Sequence, residues 1–220
     1  MNLRTDYDAR EHVPFESISW AESPTAGVER KMLERDGDEV ARATSIVRYE
    51  PGRAFAEHVH EWGEEFLVLE GTFQDEHGDY PAGTYVRNPP GSSHRPFATR
   101  GCTIFVKLRQ FVAGDSFRLV AREENSVWAA DSRAAIRTLY AYGSEQVSFV
   151  ELAAQSSLAL PACVTGTEIL VLRGAMDFDG APCQPLTWLR SPGAVAQAQS
   201  EVGCLFWMKR GHLPPSRVTA

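Results

Sequence analysis

Three stretches of this 220-residue chain occur twice at nearly one spacing. "EEFLVLEGTFQD" at 64–75 returns as "TEILVLRGAMDF" at 167–178, "YVRNPPG" at 85–91 as "WLRSPGA" at 188–194, and "GCTIFVK" at 101–107 as "GCLFWMK" at 203–209. The offsets are 103, 103 and 102 residues, so a single register carries all three. Unrelated matches have no reason to share an offset, and the chain reads as a tandem duplication. The join falls within 112–130, and Trp20 and Trp128 stand ahead of the two halves at comparable positions. Whatever fold forms must form twice, in about 100 residues each.

Within each half the signals are those of strands. "RATSIVRY", "EEFLVLEG", "GTYVRNP" and "CTIFVKLRQF" are short, rich in β-branched and aromatic residues, and separated by Gly, Pro and Asp turns. Closely spaced strands of this kind predict an all-β sandwich or barrel. The one helix-compatible stretch, "NSVWAADSRAAIRTL", is read as linker plus the first strand of the second half. The expected layout is an arm at 1–15, ordered by a partner, a first barrel at 16–120 and a second at 121–220.

Composition narrows the function classes. A net charge of −7 and a pI near 5.4, with no basic run, exclude a phosphate-binding face, so nucleic acid is not an expected partner. No apolar stretch approaches the length of a membrane span, and "MNLRTDYDAREHVPFESISW" lacks the apolar core of a signal peptide, so the expected compartment is the cytoplasm. Cys102, Cys163, Cys183 and Cys204 have no C-x-x-C spacing and read as free thiols.

Residues 51–71, "PGRAFAEHVHEWGEEFLVLEG", carry the chemistry. On a strand His58 and His60 point the same way. "EWG" turns the chain and Glu64 opens the next strand, sharing a face with Phe66 and Val68. His94 follows the Gly- and Pro-shaped segment "GTYVRNPPGSSH". Three imidazoles and a carboxylate suit zinc, iron, nickel or manganese, and leave positions open on a metal that takes five or six ligands. A lone His-x-His would be a polar surface strand; four ligands framed by these glycines and this proline read as a metal cradle. Pocket candidates beside it are Phe66, Val68, Tyr85 and Arg87.

Gly52, five residues, His58-x-His60, three residues, Glu64, six residues, Gly71, and then Gly83, five residues, Pro89-x-Gly91, two residues, His94, together resemble the paired signature motifs of the cupin superfamily. Ala98 stands where the second motif usually ends in Asn, and the loop 72–82 is short. The resemblance implies two tandem cupin barrels, of the double-stranded β-helix or jelly-roll kind, with His58, His60, Glu64 and His94 as ligands of one divalent transition metal. Zinc is the first expectation, with iron, manganese and nickel as alternatives. "LVLEG", "YVRNPPGSSH" and "IFVKLRQF", within residues 20–115, further resemble the cupin-like C-terminal domain of ChrR-type anti-sigma factors. In that family a zinc-binding N-terminal domain holds a sigma factor, and the metal-bound cupin governs its release under oxidative stress. The His-x3-Cys-x2-Cys zinc site of that domain has no counterpart here, since no cysteine precedes Cys102.

The repeat supplies an internal control. At its offset His58, His60, Glu64 and His94 become Pro161, Cys163, Thr167 and Gln197, so the second barrel is expected to lack the metal. Arg87, Glu65, Cys102 and Lys107 keep their types as Arg190, Glu168, Cys204 and Lys209. Features that persist in the metal-free half serve the barrel, which makes Arg87 a structural ion-pair residue and not an anion clamp. His77 reads as a solvated turn residue, and His12 and His212 lie near the termini. The expected function is a metal-binding sensor or regulator of anti-sigma-factor type, with a sigma factor as partner by resemblance. The alternative is a metal-dependent dioxygenase of a small organic substrate. A homodimer is expected from the exposed sheet edges.

Overall fold

The computed structural model describes residues 1–38, 40–122, 129–130 and 133–214, and Trp128 lies outside them. The chain divides into two units: Met1–Thr5 with Ile18–Asn125, and Asp6–Ser17 with Ser126–Ala220. Among the described residues nearly all regular structure is antiparallel strand, the exception being a single 3-10 turn at Phe15–Ser17. Among the described residues no helix is long and apolar enough to cross a membrane.

In the first unit the main sheet runs Asn2–Leu3, Val28–Asp36, Arg42–Tyr49, Cys102–Leu108, Glu64–Asp75, Thr84–Asn88, Leu119–Arg122. A two-stranded sheet, Ser92–His94 on His58–His60, lies apart from it in hydrogen bonding. Alternate side chains of the main sheet, among them Val28, Tyr49, Phe66, Val68, Val86, Ile104 and Val106, form the core. The second unit repeats the plan. Its sheet runs Ala129–Ala130, Ala134–Tyr142, Glu145–Leu152, Cys204–Arg210, Thr167–Gly174, Trp188–Ser191, Glu11–Val13, and a four-stranded sheet contains Ser156–Leu160, Ala196–Ser200, Met176–Phe178 and Ala181–Cys183. These are two jelly-roll barrels of one topology.

The glycine that closes the repeated stretch has a steric reason in both units. Gly71 and Gly174 have φ of 73° and 72°, and a Cβ there would lie 2.4 Å from the Gly101 carbonyl oxygen and 2.0 Å from that of Gly203. Each position also follows a β-bulge. Glu70 faces Thr103 but Val68 faces Ile104, which leaves Leu69 as an extra residue; Arg173 and Val171 bracket Leu172 in the same way.

Residues 1–15 do not form the expected arm. Asn2–Leu3 pairs with Val28–Asp36 of the first unit, and Glu11–Val13 pairs with Trp188–Ser191 of the second. The segment preceding the second barrel behaves likewise, with Leu119–Arg122 pairing with Thr84–Asn88. Each barrel thus takes its last edge strand from chain that precedes the other.

On the face away from the core, Arg87 is fully buried. It donates to Glu65 Oε2 at 2.7 Å and Asp115 Oδ2 at 2.6 Å, and its guanidinium lies 4.3 Å from the Phe111 ring centre. Tyr85 donates to the same Glu65 oxygen at 2.6 Å. In the second unit Arg190 donates to the Asp6 carbonyl at 2.7 Å, and Glu168 accepts from Trp188 Nε1 at 2.6 Å. His212, near the terminus in sequence, is buried with Nε2 2.8 Å from Glu168 Oε2. In both units a buried arginine and a buried glutamate stand opposite each other on this face, Arg87 with Glu65 and Arg190 with Glu168, and the Arg87–Glu65 ion pair is the structural one that the repeat implied. Removing one member of a buried pair strands the other's charge, which costs about 3–5 kcal/mol. Arg87→Met is expected to lose about that much in a denaturant titration while keeping wild-type metal content.

Candidate metal centre

The turn Glu61–Trp62–Gly63 brings the two parts of the first motif together. Gly63, at φ 79°, donates its N–H to the His60 carbonyl at 3.2 Å, and Gly91 of the second motif donates to the same oxygen at 2.8 Å. In the two-stranded sheet His94 lies directly opposite His58, and Ser92 opposite His60. The imidazole centres are 4.9 Å (His58–His60), 5.1 Å (His58–His94) and 4.7 Å (His60–His94) apart. Glu64 Oε1 lies 3.5 Å from both His60 Nε2 and His94 Nε2. One ligand atom from each of His58, His60, Glu64 and His94 falls within 4.8 Å of all the others.

Hydrogen bonds at the far nitrogens set the tautomers. His58 Nδ1 is 2.9 Å from the Ala56 carbonyl, which can only accept, so that nitrogen carries the proton. His94 Nδ1 lies 3.1 Å from Asp75 Oδ2. Burial opposes ionisation of Asp75, but hydrogen bonds from His94, the His77 N–H and the Tyr80 hydroxyl together hold it below the usual carboxylate range. Asp75 is therefore an acceptor, His94 Nδ1 is a donor, and Nε2 of both histidines presents a lone pair to the centre.

The electrostatics differ between ligands. Burial pulls His60 below its ordinary value, aided by His94 and His58 and opposed by Glu64, which favours the neutral ligand form. Burial alone would depress His94 too, but the Asp75 hydrogen bond and the charges of Glu64, Asp75 and Glu76 outweigh it and raise it. Nε2 of His60 and of His94 are buried, with no hydrogen-bond partner among the described residues. Buried polar atoms are rarely left so. A divalent cation satisfies both, and this His₃Glu donor set fits zinc, iron, manganese or nickel.

These groups line a cavity of about 530 Å³. Phe66 and Val68 face the same interior, but as core residues beneath the cavity and not on its wall. Phe66 packs on Phe73 at 4.5 Å between ring centres, and Phe73 on His94 at 5.9 Å. Tyr85 and Arg87 are not pocket residues. Val86 points into the core, so its two neighbours point away, to Glu65. Two groups at the centre were not anticipated. Asn88 Nδ2 lies 3.4 Å from Glu64 Oε1, and Asp75 orients His94. Alternation counted from Glu64 puts Asp75 on the outer face; the extra residue Leu69 reverses the parity and brings Phe73 and Asp75 inside. The repeated "LVL-x-G", seen in both halves, was the available signal for that bulge.

In the second unit Pro161, Cys163 and Thr167 stand where His58, His60 and Glu64 do. The counterpart of His94 is Ala196, not Gln197. Phe97 faces Gln74 as Gln199 faces Asp177, and Gln74 and Asp177 are 103 residues apart. Asp75 is replaced by Phe178, which with Leu160, Met176 and Ala196 belongs to a continuous apolar core. Packing fills the space that the first unit keeps as a cradle.

Asp75→Asn is expected to weaken metal binding about 10- to 100-fold at pH 8, read by competition with a chelating indicator. The pH dependence should move as well. His94 is raised mainly by Asp75, so the wild type loses metal as pH falls through that raised value. Without the carboxylate, His94 loses its largest raising influence and titrates lower than in the wild type, and the acid limb shifts to lower pH.

The profile of the ChrR cupin-like domain family matches residues 8–112. Among curated proteins none matches the chain in sequence. Solved structures share its fold at low identity. A provisionally assigned dioxygenase of Nostoc punctiforme PCC 73102 superposes with a TM-score of 0.78 at 13% identity, covering 96% of this chain and 85% of that one. The bacterial pirin YhhW of Escherichia coli, solved with nickel(II), gives 0.69 at 14%, covering 94% and 100%. Oxalate decarboxylase of Bacillus subtilis, which has Mn(II) centres, gives 0.64 at 11%, covering 93% and 78%. The chain has the fold of two cupin barrels, and residues 8–112 match the ChrR cupin-like domain.

Proposed function

We propose that the first barrel is a metal-dependent oxygenase site for a small organic substrate. The observation that carries this reading is a roomy cavity with four ligand groups on its wall, two of them buried imidazole nitrogens without a partner. His58, His60, Glu64 and His94 would hold the ion, and a redox-active ion such as iron(II) supplies one-electron chemistry with O₂ and Lewis acidity toward the substrate. The surrounding residues have separable tasks. Asp75 keeps the His94 proton on Nδ1, Asn88 steadies the Glu64 carboxylate, and Phe73 shields one side of His94 from water. The likeness to a provisionally assigned dioxygenase supports the reading at the level of fold.

The ChrR cupin-like match favours a second reading, a sensor whose metal state controls a partner such as a sigma factor. Thiol chemistry gives that reading little support. Burial pushes Cys102 up to about 12, Cys183 to about 11 and Cys204 to about 12, so none is a thiolate at neutral pH. Oxidant sensing would have to run through the metal or through Cys163. With a disulfide reagent at pH 8 the native protein is expected to expose one reactive thiol per chain, the half-buried Cys163, and four after unfolding.

Metal content by mass spectrometry, on protein purified without a metal-affinity step, tests the site. About one ion per chain is expected, and under a tenth of that in His94→Ala, which should stay folded by circular dichroism because its ligand sits at the end of a short strand. Full stoichiometry in the variant would overturn the assignment. Iron or manganese in the wild type favours the oxygenase and calls for O₂-uptake assays; zinc favours the sensor.

A further inference from the structure

Besides Arg109, which pairs with Glu61, two cationic side chains line the same cavity without taking part in the metal centre. Strand Val28–Asp36 runs beside Arg42–Tyr49, with Val28 opposite Tyr49, Arg30 opposite Val47 and Arg35 opposite Ala43. Strict alternation from Val28 and Arg30 would aim Glu34 inward. The register shifts between Met32 and Glu34, and the extra residue Leu33 turns Glu34 out and Arg35 in. Both arginines line the cavity.

The Arg30 side chain makes no hydrogen bond or ion pair among the described residues, and its Nε is buried without a partner. A guanidinium offers five donors, and leaving a buried one unmet is unfavourable. Arg35 donates to the Asp38 carbonyl. Burial, and next the Arg30 charge, hold Arg35 below its ordinary value against the pull of Asp38, so the two cations feel each other. The carboxylates on the wall are engaged elsewhere. Glu57 lies 3.7 Å from Arg95, Glu61 lies 2.7 Å from Arg109, and Glu64 belongs to the metal set.

The second barrel again acts as a control. Its bulge recurs between Thr138 and Tyr140, so the bulge serves the fold. The arginines do not recur. By strand register Arg30 corresponds to Ile136, opposite Val150, and Arg35 to Ala141, opposite Gln146. Both cations are confined to the half that carries the metal ligands. At the cavity wall stand three exposed apolar side chains, Val40, Val59 and Trp62, at 65%, 60% and 63% exposure.

We propose that Arg30, assisted by Arg35, is the anion subsite of this cavity, and that its ligand is a small organic acid whose carboxylate meets the guanidiniums while an apolar body lies on Val40, Val59 and Trp62. Arginine suits this task because its planar fork meets a carboxylate with two parallel hydrogen bonds. The inference names the substrate class for the metal-dependent reading above and rests on it.

The test is a ¹⁹F NMR titration of full-length, zinc-loaded protein with 4-fluorobenzoate, 4-fluorophenylacetate and 3-(4-fluorophenyl)propanoate, each beside its primary amide. At least one acid is expected to bind the wild type about tenfold tighter than its amide, and about tenfold tighter than it binds Arg30→Gln or Arg30→Met. Arg35→Gln should lose less. Failure of all three acids to bind, amides that bind as well as acids, or undiminished binding by a folded Arg30 variant each overturn the proposal. The acid–amide comparison needs no variant and stands if both Arg30 variants misfold. Metal content of each sample separates the two levels. A wild type without its equivalent of metal sinks the metal-dependent reading, whereas Arg30-dependent acid binding by His94→Ala keeps the anion subsite.

Discussion

A β-strand can aim only every second side chain at one face, and the strand Glu64–Asp75 departs from that alternation once. Up to Val68 the even positions look inward, giving Glu64 to the ligand cluster and Phe66 and Val68 to the core beneath it. Past the extra residue Leu69 the odd positions do so, giving Phe73 and Asp75. The ligand, the apolar support and the carboxylate that orients a second ligand all come from one strand because of that one displacement. The outward side has a task of its own. Glu65 anchors Tyr85 and Arg87 on the opposite face, so the strand joins a metal cradle on one side to a buried ion-pair network on the other. A strand slipped by one residue would exchange the two sets and leave charges in the core.

The duplication separates what the fold needs from what the chemistry needs. Both barrels keep the bulges, the glycine that follows the bulge in the central strand and a fully buried arginine on the outer face. One barrel replaces His94 and Asp75 by Ala196 and Phe178 and packs the space with apolar side chains. The other leaves that volume open at the expense of burying histidine nitrogens without partners. Since both versions are built on the same sheet order, the cradle is not required for folding.

How much was legible in the sequence follows from the range over which each signal acts. His58, His60, Glu64 and His94 were readable because short turns with glycine and proline fix their spacing, and the structure gathers all four. Asp75 was not, since nothing short of seeing the bulge reverses the count from Glu64. Tyr85 and Arg87 were placed in the pocket because parity cannot be carried across the turn at Gly83; the repeat, which had already marked Arg87 as structural, was the better guide. Arg30 lies 28 residues ahead of His58 with no motif around it, and only the cavity brings them together. The strands Asn2–Leu3 and Glu11–Val13 are too short to show any periodicity, so residues 1–15 read as an arm.

That last pairing bears on the order in which the molecule can be completed. Glu11–Val13 leaves the ribosome about 175 residues before Trp188–Ser191, the strand it must join. At about 5–20 residues per second, the gap is on the order of ten to thirty-five seconds. Once residue 122 has emerged, the first barrel has its ligands and its own edge strand available for the rest of that interval, while the chain ahead of it holds a strand with nothing to pair with. The barrel that gathers the His and Glu cluster is thus able to form early, and the one that lacks it is finished last, by a piece of chain made first.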